Sequence, residues 1–172
     1  MISEKAGRAI GNWLKVRLAQ ELKDQGHNLT GSLISSLEEK VSITGGRMII
    51  EMLGNDYGDP LNTGVTASRI PYTPGQSRGA TSKYIEGLIR FAERRFGLRG
   101  KEATSAAFAI ARKHKREGMP TQSSYRYSAN GRRTGWIDVI LADNDQEQTN
   151  FVEERVGQEV TILITNFSKA RI

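Results

Sequence analysis

A chain of 172 residues with a net charge of +6 is long enough to close one hydrophobic core without metal or disulfide support, and it reads as a single domain, 1–172. It contains no cysteine, which excludes disulfides, thiolate metal sites and a cysteine nucleophile. No stretch reaches the run of about 18 apolar residues that a membrane-spanning helix needs, and the opening "MISEKAGRAIGNWLKVRL" lacks the apolar core of a secretion signal, so synthesis in a cytoplasm and no membrane partner are expected.

Ile10, Trp13, Leu14, Leu18 and Leu22 recur at steps of three and four, which predicts an N-terminal helix capped by Gly26. His27 follows that cap and is expected to face water. In "TGSLISSLEEK", Thr30 can cap a second helix with Leu33, Ile34 and Leu37 on one face. The period then changes. "KVSITGGRMIIEML" places a Gly45-Gly46 turn between two apolar runs and predicts a β-hairpin.

Residues 54–79 carry three of the four prolines, with several glycines and polar residues. A loop of this length in a compact domain has a function or is disordered. Tyr57, Ile70 and Tyr72 give it apolar material with which to dock. With Asp59 and Arg69, they are the candidate contacts to a neighbouring subunit.

"TSKYIEGLIRFAERRFG" predicts a helix with Thr81 or Ser82 as cap, a stripe of Ile85, Leu88, Ile89, Ala92 and Phe96, and Gly97 as stop. "GKEATSAAFAIARKHKREG" predicts another, whose alanines permit close approach of a neighbouring helix. Residues 121–135 are polar and read as an exposed loop. The C-terminal segment, 136–172, opens with the apolar "WIDVIL". It continues into "FVEERVGQEVTILITNF", where a helical stripe favours helix although "VTILIT" has strand composition.

The charge is unevenly distributed. Residues 78–133 hold 14 Lys/Arg against 4 Asp/Glu, net +10, whereas residues 134–172 hold 3 against 7, net −4. Such a basic middle attracts a polyanion, or an acidic face of another copy. The cations of "RKHKREGMP" suit a helix C-terminus, where each stabilises by about 0.3–1 kcal/mol. That local role does not account for all of them. Arg112, Lys113, Lys115, Arg116, Arg126, Arg132 and Arg133 are therefore the candidates to face DNA or an acidic partner. No aromatic-basic interleaving and no recognition helix accompanies them, so sequence-specific reading is not expected.

No catalytic constellation is evident. His27 and His114 lack partners at a metal-binding spacing, and phosphate-cradling and nucleophile-elbow motifs are missing. Asp56, Asp59 and Glu51 are the only carboxylates that suggest a metal-dependent nuclease.

In order of elements and in short motifs the chain resembles the neck and tail-completion proteins of tailed bacteriophages, a head–tail connector or minor tail protein family. "LTGSLISSL" is similar to that family's TG-x-L-x-x-S step, and "NDYGDPLNTG" and "IPYTPG" to its turn and proline-containing loop. "AAFAIARKHKREGMPT" resembles a helix ending I-x-R-K-I-x-R-x-G-x-x-P, with His114 at an aliphatic position. "TGWIDVIL" completes the pattern. The resemblance implies an α+β subunit with a small antiparallel hairpin packed with several helices and a long loop after the hairpin. It implies no catalytic role and no cofactor. Copies would form a ring, six- or twelve-fold, between the portal or adaptor and the tail tube or tail terminator. Genomic DNA would pass through the lumen of a virion part assembled in the host cytoplasm. A non-specific nucleic-acid-binding protein using residues 78–133 is the alternative, and the nuclease is a third reading.

Overall fold

The computed structural model describes residues 4–75, 82–120, 125–142, 146–156 and 161–162. Along them run α1 (Glu4–Asp24), α2 (Ser32–Ser35), the strands β1 (Glu38–Thr44) and β2 (Arg47–Leu53), and α3 (Gly58–Thr63). A 3-10 turn (Ala67–Arg69), α4 (Lys83–Phe96), α5 (Gly100–Glu117), α6 (Trp136–Ala142), α7 (Gln146–Val156) and β3 (Thr161–Ile162) complete the order. This is an α+β fold, a small antiparallel hairpin packed with several helices.

The main core lies between α1 and the hairpin. Ile10, Leu14, Leu18 and Leu22 are buried on the predicted stripe, against Met48, Ile50 and Met52 from alternate positions of β2. Gly7 and Gly11 permit the contact. A Cβ at Gly7 would stand 2.5 Å from Val41 Cγ1 and 3.0 Å from Met48 Sδ, and one at Gly11 would stand 2.9 Å from Glu39 Cβ. At these two positions the helix meets the strands with bare backbone.

The hairpin forms at the predicted turn. Gly45 and Gly46 have φ of 58° and 76°, the two positive values that a two-residue turn of matching twist requires. The pairing runs in register from Glu38 opposite Leu53 to Thr44 opposite Arg47. The C-terminus of α1 also ends as the sequence suggests. Gly26 N–H donates to Lys23 O and His27 N–H to Leu22 O, the paired bonds of a left-handed glycine cap.

The predicted second helix is cut short. Only Ser32–Ser35 is helical, Glu38 to Lys40 belong to β1, and Thr30 accepts from Ser32 N–H at 3.3 Å outside the helix proper. Cross-strand pairing from Glu38 onward wins over the local stripe, and Leu37, just before it, is buried in the core.

Within 54–75 the chain is anchored. Helix α3 sits beneath α6, where Trp136 Nε1 donates to Gly58 O at 3.1 Å and Asn62 Oδ1 accepts from Ile137 N–H at 2.8 Å. Val65 then bridges to Met119. Residues 76–79 of the proline-containing segment lie outside the described residues.

A second, smaller core joins α4 and α5. Ile85 and Leu88 face Ala107 and Ala111, whose small side chains let the helices approach closely, and Tyr72 and Phe108 pack against them. Ser82 caps α4, accepting from Ile85 N–H at 3.3 Å, and Gly97 closes it at φ 69°. Phe96, assigned to the buried stripe from its spacing, is instead 48% exposed, one residue before that stop. Gly118 ends α5 at φ 83°, ψ −175°, not in the left-handed helical region expected of a cap. A Cβ there would meet Val65 O at 2.6 Å, so glycine is required by both conformation and space.

For the C-terminal third one expectation holds in part and another is overturned. Residues 125–135 form a loop with Tyr125, Arg126 and Arg132 exposed, as expected, but Ser128 and Gly131 are buried and the segment is bonded along the end of α1. The C-terminal helix stops at Val156, and Thr161–Ile162 pairs in parallel with Ile49 and Ile50 of β2. The strand composition of "VTILIT" prevails there over the helical period, because the free side of β2 offers backbone partners. Residues 121–124, 157–160 and 163–172 of those predicted segments lie outside the described residues.

Candidate functional site

The α4–α5 pair packs on itself and, through α5, on the 3-10 turn. Between this pair and the end of α1 lies a cleft of about 460 Å³. Leu61 and Met119 form part of its wall on the main body, and Leu88, Phe91 and Ile110 form the opposite wall. Tyr57 and Phe96 also line it, each nearly half exposed. Arg95, Lys113 and Arg133 supply positive charge, and no Asp or Glu lies among the lining residues.

The floor of the cleft is held by a strap. Ala129 N–H donates to Asp24 O at 2.6 Å, and Asn130 Nδ2 to Glu21 Oε1 at 2.9 Å. Gln25 Nε2 reaches both Glu21 Oε1 and Thr134 O. These bonds satisfy the carbonyl groups and the buried carboxylate at the end of α1, which water would otherwise serve. His27, expected to face water, is half-buried and its Nε2 donates to Arg133 O at 3.0 Å. Burial pushes its pKa below the ordinary histidine value, opposed by that hydrogen bond and aided by the Arg133 charge. The histidine therefore favours its neutral form.

His114 is also held in place. Its Nδ1 and the Tyr84 hydroxyl share a hydrogen bond of 2.8 Å between α5 and α4. Burial lowers the His114 pKa, with Lys113 adding to the effect and Glu117 opposing it. Burial also pushes the Tyr84 hydroxyl up to about 12.

The seven candidate cations separate into distinct groups. Arg112 is exposed on α5. Lys113 stands 3.7 Å from Glu117, and Arg116 donates to the same carboxylate at 2.6 and 3.1 Å. The Arg116 bond is the main reason the Glu117 carboxyl lies below its ordinary pKa. Lys115 does not face outward: it is half-buried and donates to Ile70 O at 3.2 Å. Arg126 is exposed and lies over the Tyr127 ring at 5.4 Å. Arg132 is exposed, its backbone N–H donating to Asn130 Oδ1. Arg133 is half-buried, with one terminal nitrogen donating to Tyr127 O at 3.2 Å. Lys115 and Arg133 are thus structural in part, Lys115 through an acceptor on a distant segment and Arg133 through one six residues earlier in the same strap, and sequence spacing reveals neither.

The proposed inter-subunit contacts also divide. Tyr57, Asp59 and Arg69 are exposed. Ile70 is 3% exposed, and Tyr72 is half-buried with its ring 6.3 Å from that of Phe108. Those two side chains dock within their own chain. The reason is local: Ile70 follows the 3-10 turn that packs on α5, and Tyr72 packs against the smaller core.

The three carboxylates of the nuclease reading are not gathered. Glu51 lies 3.8 Å from Lys40 on the hairpin, Asp56 and Asp59 are exposed, and no group of three or more His, Asp or Glu suited to a metal occurs among the described residues. No helix among those residues is long and apolar enough to cross a membrane. Set against protein-family models, curated proteins and solved structures, the chain matches none.

Proposed function

We propose that this chain is a structural subunit of a phage head–tail connector, a neck or tail-completion ring joining the DNA-filled head to the tail. The observation that carries the reading is a separation of charge on exposed surfaces. Arg90, Arg94, Arg99, Lys101 and Arg112 stand exposed on and between α4 and α5, where they outnumber the exposed Glu86, Glu93 and Glu102, while on α7 Glu153 and Glu154 stand exposed beside Arg155. Repeated around a ring, such faces attract between copies or hold a polyanion in the lumen. The order of helix, hairpin and helical pair supports the same reading. The portal or adaptor and the tail tube or tail terminator are the partners it implies.

Contact with DNA would then be through phosphates, independent of sequence and weakened by salt. Particles assembled with Arg94→Glu/Arg112→Glu test this. The reading predicts loss of tail joining or of retained DNA, and normal particles would contradict a role for this face.

The exposed cations also favour a second reading, a free non-specific nucleic-acid-binding protein. It predicts that the monomer binds duplex DNA with a dissociation constant on the order of micromolar, with a steep salt dependence. The connector subunit binds weakly until it is assembled.

A further inference from the structure

We propose that the cleft between the α4–α5 pair and the end of α1 binds a small anion carried on an apolar body, such as an aryl sulfonate, phosphate or carboxylate. This inference does not rest on the connector reading. The volume, about 460 Å³, falls within the roughly 300–1,000 Å³ typical of small-ligand sites. The walls of Leu61, Leu88, Phe91, Ile110 and Met119 suit an apolar body. The charge is of one sign: Arg95, Lys113 and Arg133 line the cleft, with no acid among the lining residues to balance them.

The placement of Arg133 strengthens the case. Burial is the main influence lowering its pKa, and the charge of Arg95 acts in the same direction, so the two guanidinium groups repel across the cleft. Its Nε is buried without a hydrogen-bond partner, and one terminal nitrogen is fixed on Tyr127 O. A cation held half-buried beside a second cation gains from any anion that enters, because attraction strengthens where water is excluded. Glu117 lies outside the lining and accepts from Arg116. It stands 3.7 Å from Lys113 and offsets part of that charge, which leaves Arg95 and Arg133 as the lining cations without an acid among the described residues.

The probe is 8-anilinonaphthalene-1-sulfonate, compared with N-phenyl-1-naphthylamine, which has the same rings and no charge. Titration should give one site per chain for the sulfonate, with at least tenfold weaker binding of the neutral amine. Methyl resonances of Leu88 and Ile110 should shift on binding. Arg95→Glu/Lys113→Glu should weaken the sulfonate at least tenfold. Arg94→Glu/Arg112→Glu makes the same change of charge on the same helices outside the lining and should weaken it less than threefold. Melting temperature and near-ultraviolet circular dichroism establish that each variant is folded; if the first is not, Lys113→Gln alone replaces it, with a threefold loss expected. Equal binding of the two probes, equal effects of the two charge reversals, or shifts confined to other methyl groups would each overturn the proposal. So would a cleft closed to the probe by self-association of the chain.

Discussion

The ammonium of Lys115 donates to the carbonyl oxygen of Ile70 at 3.2 Å, joining the basic end of α5 to the chain that follows the 3-10 turn. One of the central cations of "RKHKRE" is therefore a clamp within the subunit. Removing it as Lys115→Met leaves a carbonyl without its charged donor. The expected cost is about 1–2 kcal/mol in denaturant unfolding. The salt dependence of any DNA binding should stay unchanged, whereas Arg112→Glu should alter that dependence and leave stability nearly untouched.

Gly7→Ala tests how closely α1 lies on the hairpin. In an exposed helix this change gains up to about 1 kcal/mol from propensity. Here the new Cβ would stand 2.5 Å from Val41 Cγ1, and Val41 is β-branched with little freedom to turn aside. Crowding should win, giving a net loss of about 1–3 kcal/mol by chemical denaturation. A gain in stability would show that the helix can lift without cost.

Helix α7 is fastened by a stack. The rings of Trp13 and Phe151 lie 5.2 Å apart at 17°, with the Arg17 guanidinium 5.0 Å from the centre of the Trp13 ring and that of Arg155 4.6 Å from the centre of Phe151. Phe151→Ala should release α7 from α1, with a red shift in the emission of Trp13 and a loss of about 1–3 kcal/mol. Trp136, fully buried elsewhere in the core, should not contribute to the shift.

Both histidines have lowered pKa values in the folded chain, so between those values and the unfolded one the unfolded chain binds more protons. Stability is then fully present above pH of about 6.5 and falls as pH decreases through the folded values. Unfolding free energies measured from pH 7.5 to 5 should decline. His27→Asn and His114→Asn should each flatten that decline. An unchanged pH slope in both variants would contradict the assignment of neutral, buried imidazoles.

Much of the architecture is legible where the signal is local. The stripe of Ile10, Leu14, Leu18 and Leu22, the Gly45-Gly46 turn, the Ser82 cap and the Gly26 stop all announce themselves within a few residues. What escapes the sequence reading is long-range. His27 lies beside Arg133, and Asn130 beside Glu21, because a distant strap bonds the end of α1. Nothing adjacent to His27 signals this. Gly7 and Gly11 look like ordinary helix residues, and only the hairpin beneath them explains the missing side chains. The cleft draws on α3, α4, α5 and residues 125–135, so no single motif could announce it. A clue did exist in "FVEERVGQEVTILIT", where β-branched residues after Gly157 argue for a strand.

On the proposed connector reading, the exposed surfaces of this chain serve assembly. Negative-stain electron microscopy of the purified protein, alone and mixed with the portal or adaptor that the connector reading proposes as its partner, is the measurement on which that reading stands or falls. The account predicts closed rings of this chain in at least one of the two samples. Single copies in both, at concentrations where the partner itself is assembled, would contradict it.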